Sequence, residues 1–187
     1  MATIQPPALE TKFAAADLSG IDGEGVFSGY ASLFGTADLS GDLVMPGAFS
    51  RSLARRGAAG IRMLYQHDPA EPIGVWTEIR EDARGLFVRG RLMADVARGR
   101  EVASLMRAGA LDGLSIGFKT VKAQPDRAAG IRRLTEIDLW EISVVTFPMQ
   151  PDARVSSVKT TGLAAKMRRA ARSLNPTSPS HHSRTSR

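Results

Sequence analysis

The sequence predicts an α+β domain built on a mainly antiparallel, closed or barrel-like β-sheet with flanking helices. Three observations point there. Short runs in which apolar residues recur at every second position appear along the chain. The segments joining them are short and rich in Gly, Pro, Asp and Ser, which suits hairpins better than crossover helices. Helical periodicity is confined to two stretches of the body and one near the C-terminus.

Taken in order, residues 1–22 are polar, contain Pro6 and Pro7, and read as a flexible leader. Val26, Ser28, Tyr30 and Ser32 then alternate with Phe27, Gly29, Ala31 and Leu33, a strand that ends at Gly35. A turn-rich stretch around Gly41 and Pro46-Gly47 leads into a short helix from about Ala48, carrying Phe49 and Leu53. Residues 61–65 form an apolar strand that runs into a loop, Gln66-His67-Asp68-Pro69. Residues 72–78 and 86–93 pair as a hairpin across the charged turn 80–85. Asp95 is placed to cap a helix reaching about Ala108, with Val102, Leu105 and Met106 as its buried stripe. Strands follow at 114–121, 130–138 and 139–147, the last stopped by Pro148. The folded domain thus occupies residues 23–156. Residues 157–187 read as a basic arm, an amphipathic helix at 163–174 followed by a tail too polar to fold alone.

Composition removes several classes of function. The 187 residues include no cysteine, which excludes disulfides, a thiol nucleophile and thiolate metal sites. Apolar runs stop far short of the roughly 20 residues of a membrane helix, and the first residues lack signal-peptide order, so a soluble protein with no membrane contact is expected. The net charge of +6 is local. From Arg154 onward there are eight Lys and Arg and no acid, leaving seventeen basic against nineteen acidic residues elsewhere. A body so balanced shows no face for specific nucleic-acid contact.

Three side chains stand out chemically. His67 is the one imidazole outside the tail, where His181 and His182 lie, and it sits where a strand enters a loop. By position alone it reads as a strand-end hydrogen-bonding residue, and a single His without Cys argues against a metal site. Ser115 lies in Gly113-Leu114-Ser115-Ile116-Gly117-Phe118. Its small neighbours let a substrate backbone approach, and the amides of Ile116 or Gly117 are candidate oxyanion donors. The spacing matches a Gly-x-Ser-x-Gly elbow, but the helix here precedes the strand, so that reading fails on context. Glu141 lies within an apolar strand whose alternation puts Trp140, Ile142, Val144 and Thr146 on one face and Glu141, Ser143, Val145 and Phe147 on the other. A buried, ionised carboxylate needs a partner, either an imidazole or an arginine such as Arg132 or Arg133. Taken singly, each of the three has a plain structural explanation.

Together the segments YQHDPAEPIGVW, DGLSIGF and LWEISVVTFPMQPDA, preceded by GYASLFGTADLSGDLVMPGAF, resemble the prohead (capsid maturation) serine protease family of tailed phages and gene transfer agents. The resemblance covers about residues 25–156 and departs from the family at Met149-Gln150-Pro151, where Ala/Pro-Asn-Pro is usual. It implies a serine endopeptidase with a fold similar to herpesvirus assemblins. The implied substrate is a scaffold protein or the propeptide of the major capsid protein, and the chain itself, cleaved inside the prohead within the host or producer cell. The family's histidine falls on His67 and its nucleophile on Ser115. The third member falls on Glu141, with the adjacent Asp68 as competitor. No cofactor or metal is implied, and the resemblance admits a homodimer. The basic arm then reads as an address for an acidic scaffold or the inner shell wall. The contrasting reading is a non-catalytic capsid scaffolding or assembly protein, against which the strand-rich body counts.

Overall fold

Alternation in the sequence becomes two-sidedness in the sheet. Phe27, Gly29 and Ala31 turn inward while Val26, Ser28 and Tyr30 stay partly exposed, the pattern of a strand with one buried face. The structure is a computed structural model describing residues 10–15 (backbone only), 25–38 and 40–147. The elements are β1 (Glu10–Ala15), β2 (Val26–Leu33), β3 (Asp42–Val44), α1 (Ser50–Arg56), a 3-10 turn (Ala58–Gly60), β4 (Arg62–Tyr65), β5 (Asp68–Glu81), β6 (Gly85–Leu92), α2 (Ala97–Arg107), β7 (Gly113–Asp126) and β8 (Ile131–Val145). The rest of the leader, the basic arm with its expected helix, and Met149-Gln150-Pro151 lie outside the described residues.

The strands form one α+β sheet in the order β1-β7-β8-β4-β5-β6-β2, with β3 added on β8. It curls so that β2 approaches β1 and β7, a half-barrel rather than a closed one. The sheet is also mixed, where short connections predicted a mainly antiparallel one. β3 and β4 both run parallel to β8, which lies far from them in sequence and is therefore not bound by hairpin geometry. Its concave side holds the core, with Phe27, Phe49, Met63, Trp76, Phe118 and Leu139 buried.

Several element boundaries differ from the sequence reading. Glu10–Ala15, expected within the loose leader, is a strand paired to Gly113–Phe118. The two strands expected at 130–138 and 139–147 are one, β8, because no Gly, Pro or turn chemistry separates Asp138 from Leu139. Asp138 stays in the strand because Arg56, at 3.1 Å, and Arg55 pair with it from α1. Asp95 does not cap α2; Val96 precedes the helix with no side-chain cap bond. The buried face of α2 is Gly99, Val102, Ala103 and Met106, while Leu105 is 40% exposed.

α1 begins under a carboxylate from a distant strand. Glu81 accepts the Phe49 N–H with one oxygen and the Ser50 hydroxyl with the other, both at 2.9 Å. The helix then covers the stretch of β8 edge between its pairings with β3 and β4. There the buried Ser52 hydroxyl accepts the Leu139 N–H at 2.9 Å, replacing the missing strand neighbour.

Candidate active site

The loop expected at residues 66–69 is a two-residue turn. Tyr65 pairs with Asp68, and between them Gln66 and His67 both have positive φ, 53° and 61°. This backbone suits a hairpin of right-handed twist but strains residues other than glycine, by about 1–2 kcal/mol each. Strain of this kind persists where surrounding contacts over-determine it. Here the contacts come from β8: the Gln66 N–H donates to the Val144 carbonyl at 3.0 Å, and the His67 N–H to Ser143 Oγ at 3.2 Å. The Gln66 side chain adds a 2.6 Å bond to Thr146 Oγ1.

The turn carries the imidazole to a carboxylate. His67 Nδ1 lies 2.6 Å from Glu141 Oε1, and the two side chains are only 18% and 6% exposed. So short a contact between poorly solvated groups has the geometry of a charge-assisted bond. The other carboxylate oxygen, Oε2, accepts the Ser143 hydroxyl at 2.6 Å. Both oxygens of Glu141 are therefore engaged.

Gly117 is what admits the carboxylate. It is directly opposite Glu141 across the β7–β8 ladder, and a Cβ built there would lie 2.0 Å from Oε1. A bulge follows, with Phe118 opposite Leu139, so Trp140 is the extra residue. The bulge turns Trp140 outward, 36% exposed beneath the Arg56 guanidinium, rather than onto the apolar face where strict alternation puts it.

Ser115 occupies the same sheet face. It is fully buried on β7, opposite Ser143, just as Gly117 is opposite Glu141. Directly opposed Cβ atoms in such a ladder stand about 5 Å apart. Ser143 thus adjoins Ser115 on one side, and its hydroxyl touches both the His67 backbone and Glu141. The structure gathers His67, Ser115 and Glu141 on one face through two strand registers.

The competing partners are placed elsewhere. Asp68 is exposed and its Oδ1 accepts the Ala70 N–H at 2.8 Å, a local turn bond away from the imidazole. Arg132 forks onto Asp42 with two 2.7 Å bonds, and Arg133 pairs with Asp126 at 2.9 Å, so neither serves Glu141. Ile116 and Gly117 stand where β7 is paired on both sides, by β1 and β8. Their amides therefore face sheet neighbours, β1 on one side of the strand and β8 on the other. Ser143 escaped the sequence reading as a functional residue, although its position two after Glu141 put it on the same face. Among the described residues, no group of three or more His, Asp or Glu side chains is placed to hold a metal ion.

Comparison with known proteins follows the same lines. The family described as caudovirus prohead serine protease matches residues 11–168. The prohead protease of Enterobacteria phage HK97 is 36% identical over 138 residues, covering 73% of this chain and 61% of that protein. The chain therefore spans somewhat less than two thirds of that relative's length. The prohead protease of Escherichia phage T5 is 26% identical over 155 residues, covering 82% of this chain and 72% of that one. The solved structure of the bacteriophage T4 capsid assembly protease superimposes with a TM-score of 0.59 at 15% identity, covering 75% of this chain and 97% of that chain, a likeness of fold.

Proposed function

The chain belongs to the caudovirus prohead serine protease family, and from that premise we propose that it is a serine endopeptidase of capsid maturation, with Ser115 as nucleophile, His67 as general base and Glu141 as the orienting acid. Its substrate is a scaffold protein or the propeptide of the major capsid protein, and the chain itself, inside the prohead in the infected or producing cell. The observation that carries the reading is the 2.6 Å His67–Glu141 bond on the sheet face that bears Ser115.

A serine hydroxyl attacks a peptide carbonyl only if its proton leaves as the bond forms. With Nδ1–H directed at Glu141, the basic nitrogen of His67 is Nε2, a buried atom. Nε2 takes the Ser115 proton during attack and returns it to the departing amine. Water then repeats the sequence on the acyl-enzyme, and its proton passes by the same imidazole. Glu141 fixes the tautomer throughout and stabilises the imidazolium that forms twice per cycle. The chain order His, Ser, acid is immaterial to this geometry, because β8 collects its partners from both neighbouring strands.

The reading extends to a fold similar to herpesvirus assemblins and to a homodimer, the latter tested by sedimentation of the purified chain. It also makes residues 157–187 an address: deletion of the arm should leave cleavage in solution intact and reduce incorporation into proheads. The central experiment is co-expression with the capsid protein and N-terminal mapping of the product. Ser115→Ala and His67→Ala should each abolish processing, a loss of about a million-fold, with the fold retained. Mature capsid protein in the Ser115→Ala strain would overturn the assignment. It would favour the scaffolding role instead.

A further inference from the structure

We infer that Ser143 is a positioning residue of this site, whose one hydroxyl fixes both the turn that presents His67 and the carboxylate that orients it. The inference rests on the serine-peptidase reading above. Ser143 is fully buried, and its Oγ donates to Glu141 Oε2 at 2.6 Å while accepting the His67 N–H at 3.2 Å. A hydroxyl has one hydrogen and two lone pairs, so the two bonds coexist. Its hydrogen is committed to the carboxylate, which distinguishes it from a nucleophile.

Each bond answers a specific need. A carboxylate held at Oε1 alone can rotate about its terminal bond, and the imidazole would follow it. The Ser143 hydroxyl pins Oε2 and so holds Oε1 against Nδ1. The His67 backbone sits at φ 61°, a conformation its neighbours must enforce, and the amide bond to Ser143 is one of those restraints. The same side chain thus couples the main chain of the base to the side chain of the acid. A buried serine placed only for packing would not need both bonds.

The test uses Ser143→Ala and Ser143→Thr in the full chain. Removing a hydrogen bond to a charged group slows a step that depends on it by about ten- to hundredfold. Ser143→Ala should therefore lower kcat for propeptide cleavage by that factor with KM within about twofold, and Ser143→Thr should restore most of it. The second readout is the far-downfield proton resonance of the His67 Nδ1–H···Glu141 bond, recorded in a Ser115→Ala background. Adding Ser143→Ala should broaden or abolish this signal, and Ser143→Thr should retain it. Should Ser143→Ala fail to fold, Ser143→Cys carries the comparison, with a weaker donor of similar shape and an intermediate loss. Unchanged kcat, or a resonance indifferent to Ser143, overturns the inference. A resonance that depends on Ser143 in a chain that cleaves nothing would sink the peptidase reading and leave the positioning role standing.

Discussion

Replacing Gly117 by alanine adds one methyl carbon where β7 faces Glu141. The added Cβ would lie 2.0 Å from Oε1, 2.7 Å from Cδ and 2.9 Å from Cγ. Ordinary contact begins near 3.4 Å, so the oxygen must retreat by about 1.4 Å. The His67 bond is 2.6 Å long, and a retreat of that size carries it out of hydrogen-bonding range. The carboxylate cannot yield cheaply, because Ser143 holds its other oxygen and the side chain is buried. Loss of an orienting acid in a serine protease lowers kcat by about ten-thousand-fold, so Gly117→Ala should cost about a thousand- to ten-thousand-fold. The backbone at Gly117 is not left-handed, so alanine meets no conformational penalty and the fold should survive. The assay is steady-state cleavage of a propeptide substrate by Gly117→Ala, Glu141→Gln and the double variant. Both changes disable one group, so the double variant should be no slower than the worse single one. A Gly117→Ala enzyme within about threefold of wild type, or losses that multiply in the double variant, would refute the reasoning.

Other outcomes follow from the same structure. Glu141→Gln should lower kcat by about ten-thousand-fold, whereas Asp68→Asn should stay within about twofold because Asp68 serves a local turn bond; the reverse result in the cleavage assay would transfer the orienting role to Asp68. Ser52→Ala leaves the buried Leu139 N–H without its acceptor and should destabilise the domain by about 1–3 kcal/mol, read by urea unfolding. The Arg133 guanidinium holds the Asp126 carboxyl below the usual carboxylate range, and the Lys122 ammonium does the same for Glu136. At Asp138 burial pushes the carboxyl up, but the bonds from Arg56 and Arg55 outweigh it and leave it depressed. Folded values below unfolded ones stabilise the fold fully above about pH 4.5, and that contribution fades as pH falls through the folded values. Unfolding midpoints should accordingly hold from neutrality to about pH 5 and then drop, with a shallower drop in Asp138→Asn; a domain that gains stability on acidification would contradict the sign.

The sequence made the three reactive groups visible and left their meeting place obscure. Strand positions followed from alternation, and Glu141 demanded a partner because a carboxylate has no cheap place in LWEISVV. What alternation could not supply was the choice between His67 and the two arginines. That choice depends on β4 running parallel to β8, a pairing between segments about 80 positions apart that no local pattern encodes. Read as two strands, 130–138 and 139–147, β8 leaves Arg132 and Arg133 open as partners of Glu141. As one strand it carries them to its far end, against Asp42 and Asp126. Trp140 illustrates a second limit. Period-two counting assumes an uninterrupted ladder, and the bulge beside Gly117 shifts the count by one. The tight turn at Gln66-His67 lacked the glycine that usually announces positive φ, so it read as the start of a longer loop.

The site depends on register more than on any single side chain. β8 meets β7 so that Ser143 faces Ser115 and Glu141 faces Gly117, and meets β4 so that Tyr65 lies beside Val144. The second alignment brings the His67 N–H to Ser143, and the first sets Ser115 opposite Ser143. A slip of one residue in the β7–β8 ladder would turn Ser115 toward the core and set a side chain against the Glu141 carboxylate. A slip in the β4–β8 ladder would carry the imidazole off Oε1. The Trp140 bulge and the Ser52 bonds to Leu139 both lie within two residues of Glu141, at the point where β8 changes partners from β3 to β4. Both break the regular spacing of β8 close to Glu141 and so hinder sliding there. The apolar core therefore sets where β8 lies, while these irregular contacts set which of its residues face the histidine, and the chemistry requires the second as much as the first.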